Sequence, residues 1–492
     1  MSTINVSSLT FAYEGSWDNI FENASFSCDT SWRLGLVGRN GRGKTTLLNL
    51  LMGKYAYQGT ISADAEFVYF PIPPSDENAP VLDILAQICP TRADWELIRE
   101  LFALGMDAEA LYRPFSTLSG GERTKALLAA LFLKEGAFPL IDEPTNHLDR
   151  ESREIVSRYL AAQKGFILVS HDRAFLDGCT DHILAINRTG IELTNGSFFA
   201  WQRETERRDA LERARNEKLK KDVKRLDAAA RRTAVWSDKV EKTKTGTRVA
   251  GLKPDRGNIG HKAAKMMKRS KSIDARRKNA LAEKSCLLKN VETPEELKIS
   301  PLVYHSQMLA ELCGVSVSFG QKIACRDVSF SIERGERVAL TGRNGTGKST
   351  VLKLLTGENT CYTGELRIGS GVVVSYLPQD VSHLSGSLLD YADRFGIDGS
   401  LYFAILRKLG FERVHFEKDL SALSEGQKKK AVIARSLSER AHLYIWDEPL
   451  NYIDVVSRIQ IERLLAETGP AMLFAEHDSA FVRNIATKEV RL

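Results

Sequence analysis

One ordered series of phosphate-handling motifs occurs twice in this chain, and that repeat limits the fold more than any other feature. The first copy reads Gly38-Arg39-Asn40-Gly41-Arg42-Gly43-Lys44-Thr45, then Leu118-Ser119-Gly120-Gly121-Glu122, Asp142-Glu143-Pro144 and His171. The second reads Gly342-Arg343-Asn344-Gly345-Thr346-Gly347-Lys348-Ser349, then Leu423-Ser424-Glu425-Gly426-Gln427, Asp447-Glu448-Pro449 and His477. From each loop lysine, the serine, aspartate and histidine fall 75, 98 and 127 residues on in the first copy, and 76, 99 and 129 in the second. A lone glycine-rich loop is a modest signal. Four motifs in one order at one spacing, twice, are an internal repeat and predict two related domains that bind and hydrolyse ATP.

Each copy opens in the same way. Arg33-Leu34-Gly35-Leu36-Val37 reads as a buried strand feeding the glycine loop, and Thr45 to Leu51 as the helix behind it. Arg337 to Thr341 and Thr350 to Leu355 repeat the pattern. Strand, phosphate loop and helix imply a parallel α/β core in each domain, expected at 1–199 and 301–492.

Residues 200–300 are of another kind. The net charge of +6 hides a division, because residues 201–290 hold 28 Lys and Arg against 12 Asp and Glu, leaving about −10 for the rest. No proline or glycine occurs from Trp201 to Val240, and Leu219, Val223, Leu226 and Ala230 make one apolar stripe. Gly246, Gly251, Pro254, Gly257 and Gly260 then break the helix, after which Met266, Ile273, Ala280 and Leu287 recur every seven residues. An antiparallel helical hairpin follows, with its tip at about 241–262 and a reach of roughly 60 Å at 1.5 Å per residue. A solvated charged linker is the plainer reading, but it needs neither matched seams nor a net +16. Such a charge concentration predicts a partner such as nucleic acid.

Composition excludes other classes. The opening MSTINVSSLTFAYE has no basic region followed by an apolar core, so no secretory signal is expected. No apolar run nears the roughly 20 residues of a membrane helix, so no membrane domain is expected. Cys28, Cys89, Cys179, Cys286, Cys313, Cys325 and Cys361 are scattered and form no Cys-x-x-Cys pair, which predicts reduced thiols in the cytoplasm.

The motif residues suit phosphate chemistry. Loops Gly38 to Thr46 and Gly342 to Thr350 present backbone N–H groups to ATP at a helix N-terminus. Lys44 and Lys348 are placed for the β- and γ-phosphates, and Thr45 and Ser349 for Mg²⁺. Asp142 and Asp447 end apolar runs and are the expected Mg²⁺-side carboxylates. Glu143 and Glu448 can then orient or deprotonate the attacking water. His171 and His477 recur in register and are expected at the γ-phosphate. Tyr13 and Phe319, about 30 residues before their lysines, are candidates to stack on adenine, with core packing as the alternative.

Leu-Ser-Gly-Gly-Glu at 118–122 is the signature of ATP-binding-cassette (ABC) ATPases, and Asp-Glu-Pro-Thr-Asn-His-Leu-Asp at 142–149 resembles the ABC-F group. The segment Lys253-Pro254-Asp255-Arg256-Gly257-Asn258-Ile259-Gly260-His261-Lys262 is similar to that of Lsa-type antibiotic-resistance factors. The resemblance spans essentially the whole chain. It implies a monomer whose two cassettes pair head to tail, each ATP lying between one glycine loop and the opposite signature. Lys44, Asp142, Glu143 and His171 would then work with Ser424 and Gly426. Lys348, Asp447, Glu448, His477 and the metal-side Gln379 would work with Ser119, Gly120 and Gly121.

Three departures stand against that pattern. Ile72 occupies the first-cassette position of Gln379 and cannot coordinate Mg²⁺ or water. Glu425 replaces a signature glycine, and Leu450-Asn451-Tyr452-Ile453-Asp454 replaces Thr-Asn-His-Leu-Asp. The first two fall on the Lys44 site, which predicts slower turnover there.

The resemblance further implies a cytoplasmic, ribosome-associated protein whose hairpin enters the E site of the 70S ribosome. Its tip would contact 23S rRNA and tRNA near the peptidyl-transferase centre through Lys253, Arg256, Asn258, Ile259, His261 and Lys262, promoting release of lincosamides, pleuromutilins and group A streptogramins. A housekeeping ABC-F translation factor has the same chemistry without drug protection. Some of those carry an arm between the Gln loop and the signature, whereas here only 46 (72 to 118) and 44 (379 to 423) residues intervene. A tandem transport ATPase has no use for the basic hairpin, and a DNA-repair ATPase would carry Cys-x-x-Cys zinc insertions. A purely structural RNA-binding protein needs no Asp-Glu pair.

Overall fold

The computed structural model describes residues 2–14, 19–146, 148–187, 190–242, 297–319, 322–343, 345–358 and 361–492, with scattered positions between 261 and 279. The first repeat contains β1 (Thr3–Phe11), β2 (Phe21–Asp29), β3 (Arg33–Gly38), β4 (Gln58–Ala63), β5 (Glu66–Phe70), β6 (Ala137–Asp142), β7 (Phe166–Val169), β8 (His182–Asn187) and β9 (Gly190–Asn195). Alternating burial along β1 and β2 gives an antiparallel sheet ordered β2-β1-β4. The uninterrupted apolar runs of β3, β6 and β7 are buried on both faces, as central parallel strands must be. They lie in a sheet ordered β5-β6-β7-β3-β8-β9, parallel except for β9.

The second repeat follows the same plan. It comprises β10 (Met308–Phe319), β11 (Lys322–Glu333), β12 (Arg337–Thr341), β13 (Tyr362–Ile368), β14 (Val374–Leu377), β15 (Leu443–Asp447), β16 (Met472–Ala475) and β17 (Lys488–Arg491). Its antiparallel sheet is ordered β11-β10-β13 and its parallel core β14-β15-β16-β12-β17. Two parallel α/β cores therefore form where the motif repeat predicts them.

Helix starts follow local chemistry. Gly43 (φ 88°) and Gly347 (φ 90°) turn the chain through the left-handed region into helices Lys44–Leu51 and Lys348–Leu355. A Cβ at Gly43 would stand 2.5 Å from Ile20, and one at Gly347 2.6 Å from the Ala324 carbonyl, so both positions require glycine. Signature helices Gly120–Leu133 and Glu425–Ser438 each begin with a capping box. The Glu122 carboxylate accepts from the Ser119 N–H at 2.7 Å, and the Gln427 carbonyl from the Ser424 N–H at 3.1 Å.

The chain divides into two compact units, Met1–Trp201 with Pro294–Leu492, and Gln202–Thr293. The long helix expected from Trp201 runs Phe198–Lys242, 45 residues or about 68 Å. It starts inside the first repeat, because Phe198 is fully buried in that core and Trp201 packs against it. Leu297 and Ile299 are likewise buried in the second repeat's core, a few residues before 301. Described positions between 261 and 279 are helical, among them a half-buried Ile273 and an exposed His261. The other heptad positions, the side chains of Leu219, Val223, Leu226 and Ala230, and tip residues Lys253, Arg256, Asn258, Ile259 and Lys262 lie outside the described residues. Among the described residues, no helix is long and apolar enough to cross a membrane, and the cysteines are free thiols.

Candidate ATP sites

Sheet order assembles each site. In β6-β7-β3 the carboxyl ends of three neighbouring strands carry Asp142 and Glu143, then His171, then the Gly38–Lys44 loop. In β15-β16-β12 they carry Asp447 and Glu448, then His477, then Gly342–Lys348. The end of β14 adds Gln379 and the end of β5 adds Ile72, so motifs far apart in sequence meet in a crevice beyond the strand ends. Glu143 (φ 51°) and Glu448 (φ 45°) both adopt the left-handed region, which is uncommon for residues other than glycine. Each is held there by its N–H bonding the neighbouring strand end, Val169 O at 2.9 Å and Ala475 O at 3.0 Å. Backbone strain of this kind is concentrated at functional sites.

At Lys348, a cavity of about 820 Å³ opens between the two repeats. One wall is the loop Gly345 to Thr350 with Phe319, Gln379, Glu448 and His477; the other is Ser119, Gly120 and Gly121. Phe319 is thus an exposed ring beside the phosphate loop, as adenine stacking requires. The Lys348 ammonium donates to Gly342 O and Arg343 O at 2.8 and 2.9 Å, within reach of an arriving phosphate. Asp447 is 1% exposed, and neither carboxylate oxygen has a hydrogen-bond partner among the described residues. Burial pushes its pKa up to about 6, against the pull of the Ser349 hydroxyl and the nearby lysines. An orphaned buried carboxylate beside a serine hydroxyl and Gln379 fits a divalent cation. Glu448 lies 3.4 Å from His477 Nε2 and accepts from Asn451 Nδ2 at 2.6 Å. Burial would raise its pKa, but His477, Gln379 and Lys429 together hold it at about 2.

The Lys44 site differs in detail. Lys44 Nζ donates to Gly38 O at 2.8 Å. Asp142 Oδ2 accepts from both Thr45 Oγ1 at 2.8 Å and Tyr69 OH at 3.0 Å, whereas the hydroxyl of the corresponding Tyr376 has no partner among the described residues. Glu143 is 3.2 Å from His171 Nε2. Burial and then the Asp142 charge push the Glu143 carboxyl upward, opposite to Glu448. Burial, reinforced by Lys44, holds His171 well below the usual histidine range. Ile72 packs against the apolar core and offers no polar atom. The second signature is close by, since Asn40 Nδ2 donates to Tyr452 O at 2.8 Å. A Cβ at Gly426 would meet Tyr452 O at 2.6 Å and Asn40 Nδ2 at 3.1 Å. Glu425 bonds the Tyr452 hydroxyl. Tyr13 packs edge-on against Phe11 and Tyr55, and its hydroxyl shares a 2.9 Å bond with Thr46.

Each phosphate loop therefore stands beside the signature of the other repeat, the arrangement the motif pairing implies. Arg39, Arg42, Arg343 and Thr346 remain on the loops, and Asn344 lies outside the described residues. Sequence reading missed several contributors. Lys125, Asn146 and Asp149 line the large cavity. Lys430 makes a buried 2.6 Å pair with Asp454. Arg173 of the first repeat bonds Glu462 of the second and lies 3.8 Å from Asp478. Asp149 and Asp454 could have been read as N-caps, each three residues before a serine whose N–H its side chain accepts.

A family model described as "ABC transporter" matches residues 21–146 and 325–451, just over half of the chain. The chain belongs to the ABC ATPase family. It is an ATP hydrolase with tandem cassettes of ABC-F type. Among curated proteins, it is 27% identical over 490 residues to the ribosome protection protein VmlR of Bacillus subtilis, covering 97% of this chain and 85% of that one. It is 28% identical to the ATP-binding protein Uup of Caulobacter vibrioides over 490 residues, 96% of this chain and 74% of that one. Among solved structures, the archaeal ribosome recycling factor aABCE1, in complex with the ribosomal stalk protein aP1, shares the fold. The TM-score is 0.61 at 20% identity, over 94% of this chain and 83% of that chain.

Proposed function

We propose that this ABC ATPase binds the ribosome from the cytoplasm in its ATP-closed state, places its interdomain segment in the E site toward the peptidyl-transferase centre, and promotes release of antibiotics bound there. The observation that carries the reading is a cavity lined by the phosphate loop of one cassette and the signature of the other. ATP filling that cavity draws the cassettes together, and closure acts on the segment that joins them. With 28 basic residues against 12 acidic in 201–290, that segment suits an RNA cavity bound largely through phosphates. A relative named as a ribosome protection protein supports the same direction.

Within each site, Lys44 and Lys348 hold the terminal phosphates. Thr45 with Asp142, and Ser349 with Asp447 and Gln379, hold Mg²⁺, which when bound neutralises phosphate charge. Glu143 and Glu448 orient the attacking water, with His171 and His477 beside them. The Lys44 site turns over more slowly, because Ile72 offers no ligand and Glu425 brings a carboxylate to the signature that faces it. Equal losses of hydrolysis in Glu143→Gln and Glu448→Gln proteins would contradict that asymmetry.

The test of drug protection is growth of a susceptible host with lincomycin or tiamulin. It compares wild type, Glu143→Gln/Glu448→Gln and a protein with residues 246–260 shortened. Raised resistance with wild type alone is expected. No resistance from any form, with the hydrolysis-deficient protein still on ribosomes, assigns the chain to housekeeping translation instead.

A further inference from the structure

Lys429 lies in the second signature helix, two residues past the signature, and is 1% exposed. Its ammonium donates to Pro378 O at 2.9 Å, Gln379 O at 3.1 Å and Asp447 O at 3.2 Å. These bonds use all three donors, and every acceptor is a backbone carbonyl at the carboxyl end of β14 or β15. Two strand ends are therefore tied together at one buried charge. One of them carries Gln379 and the other carries Asp447 and Glu448.

Among the described residues, the first cassette has no such tie. Thr124 stands where Lys429 does, and its hydroxyl returns to Gly120 O within its own helix at 3.0 Å. Ile72 stands where Gln379 does, and Ser170 where Glu476 does. The lysine and Glu476, one of the carboxylates whose charge acts on it, thus occur together, in the cassette that has a Gln to position. Glu476 is itself fixed, accepting from the Leu450 and His477 N–H groups at 2.8 and 2.6 Å. A buried ammonium is costly unless it is fully bonded, so packing alone gives no reason to place one here.

We propose that Lys429 is a positioning residue for the Lys348 site: it holds the Gln379 loop against the end of β15, keeping the Gln379 amide and the Glu448 carboxylate in register for hydrolysis. The inference rests on the roles assigned above to Gln379 and Glu448. Lys429 touches the backbone of those loops and needs no contact with ATP, so its loss acts on turnover more than on nucleotide affinity.

The test uses the full chain carrying Glu143→Gln, so that measured turnover belongs to the Lys348 site. Lys429→Met keeps the length of the side chain and removes its donors. It is expected to lower kcat by about 10–100-fold, the usual effect of losing a supporting group behind a metal site, with KM for ATP little changed. Combined with Gln379→Ala, it should turn over no more slowly than the slower single variant, because both changes act through one loop. Parent-like kcat in Lys429→Met, or losses that multiply in the double variant, would overturn the proposal. If Lys429→Met does not fold, Lys429→Gln decides. A partial fall that does not multiply with Gln379→Ala supports the brace, and an unchanged or multiplicative result overturns it. Full turnover in Glu143→Gln/Glu448→Gln would instead overturn the role of Glu448 on which the inference stands.

Discussion

Single side chains set the two ATP sites apart more than the shared motifs suggest. The buried Lys430–Asp454 pair shows how much one charge can carry, since Lys430 Nζ also donates to Leu409 O and Asp454 caps a helix through the Ser457 N–H. Burial opposes the Asp454 charge, but Lys430 and the Ser457 bonds outweigh it and hold its pKa well below the ordinary carboxylate range. A folded-state pKa below the unfolded value means that the pair's stabilisation is complete above about pH 4 and is lost as pH falls further. Lys430→Met leaves an uncompensated buried carboxylate and is expected to cost about 3–5 kcal/mol, read as a lower Tm at neutral pH. Lys430→Met/Asp454→Asn should recover part of that loss. The sequence signals at this scale were uneven. Glu143 and Glu448 could be read from Asp-Glu-Pro, yet the opposite shifts of their acidities could not. Those shifts depend on what the fold places around each carboxylate: burial and the Asp142 charge in one case, and His477, Gln379 and Lys429 overcoming burial in the other.

At the level of elements, the strands and helices around each loop follow from apolar runs and glycine positions, so Arg33–Gly38 and Arg337–Thr341 were legible to within a residue. Both signature helices begin with capping boxes, a signal the motif reading did not use. Ser119→Ala and Ser424→Ala remove side-chain caps and are expected to cost about 0.5–2 kcal/mol each. Because Ser119 lines the Lys348 cavity, Ser119→Ala should also lower turnover measured in the Glu143→Gln protein, while a cap with no catalytic consequence would leave it unchanged. The start of the long helix was legible but passed over: Asn195-Gly196-Ser197, a turn and cap signal, stands directly before Phe198, ahead of the boundary expected at residue 200. Only the burial of Phe198 in the first cassette's core shows that the helix is anchored there.

For the whole molecule, buried charges meet across the two repeats beside the apolar packing of Val455 and Ile459 on the first core. Arg173 is 3% exposed and bonds Glu462, with Asp478 at 3.8 Å, and its counterpart in the second cassette is Ser479, so the tie is one-sided. Arg173→Ala leaves Glu462 and Asp478 without that charge and should lower Tm. Arg173→Met/Glu462→Met should recover most of the loss, as apolar replacement of a whole buried pair usually does. No motif marks this contact, because it joins residues 289 positions apart that only the head-to-tail arrangement brings together. In the proposed function, ATP-driven closure presents the basic segment to the ribosome. Its most direct test is co-sedimentation of the Glu143→Gln/Glu448→Gln protein with 70S ribosomes, in ATP and in ADP, over a range of salt. Retention in ATP that weakens steeply with salt, and release in ADP, are expected. Absence of the trapped protein from the ribosome pellet in ATP would contradict that function.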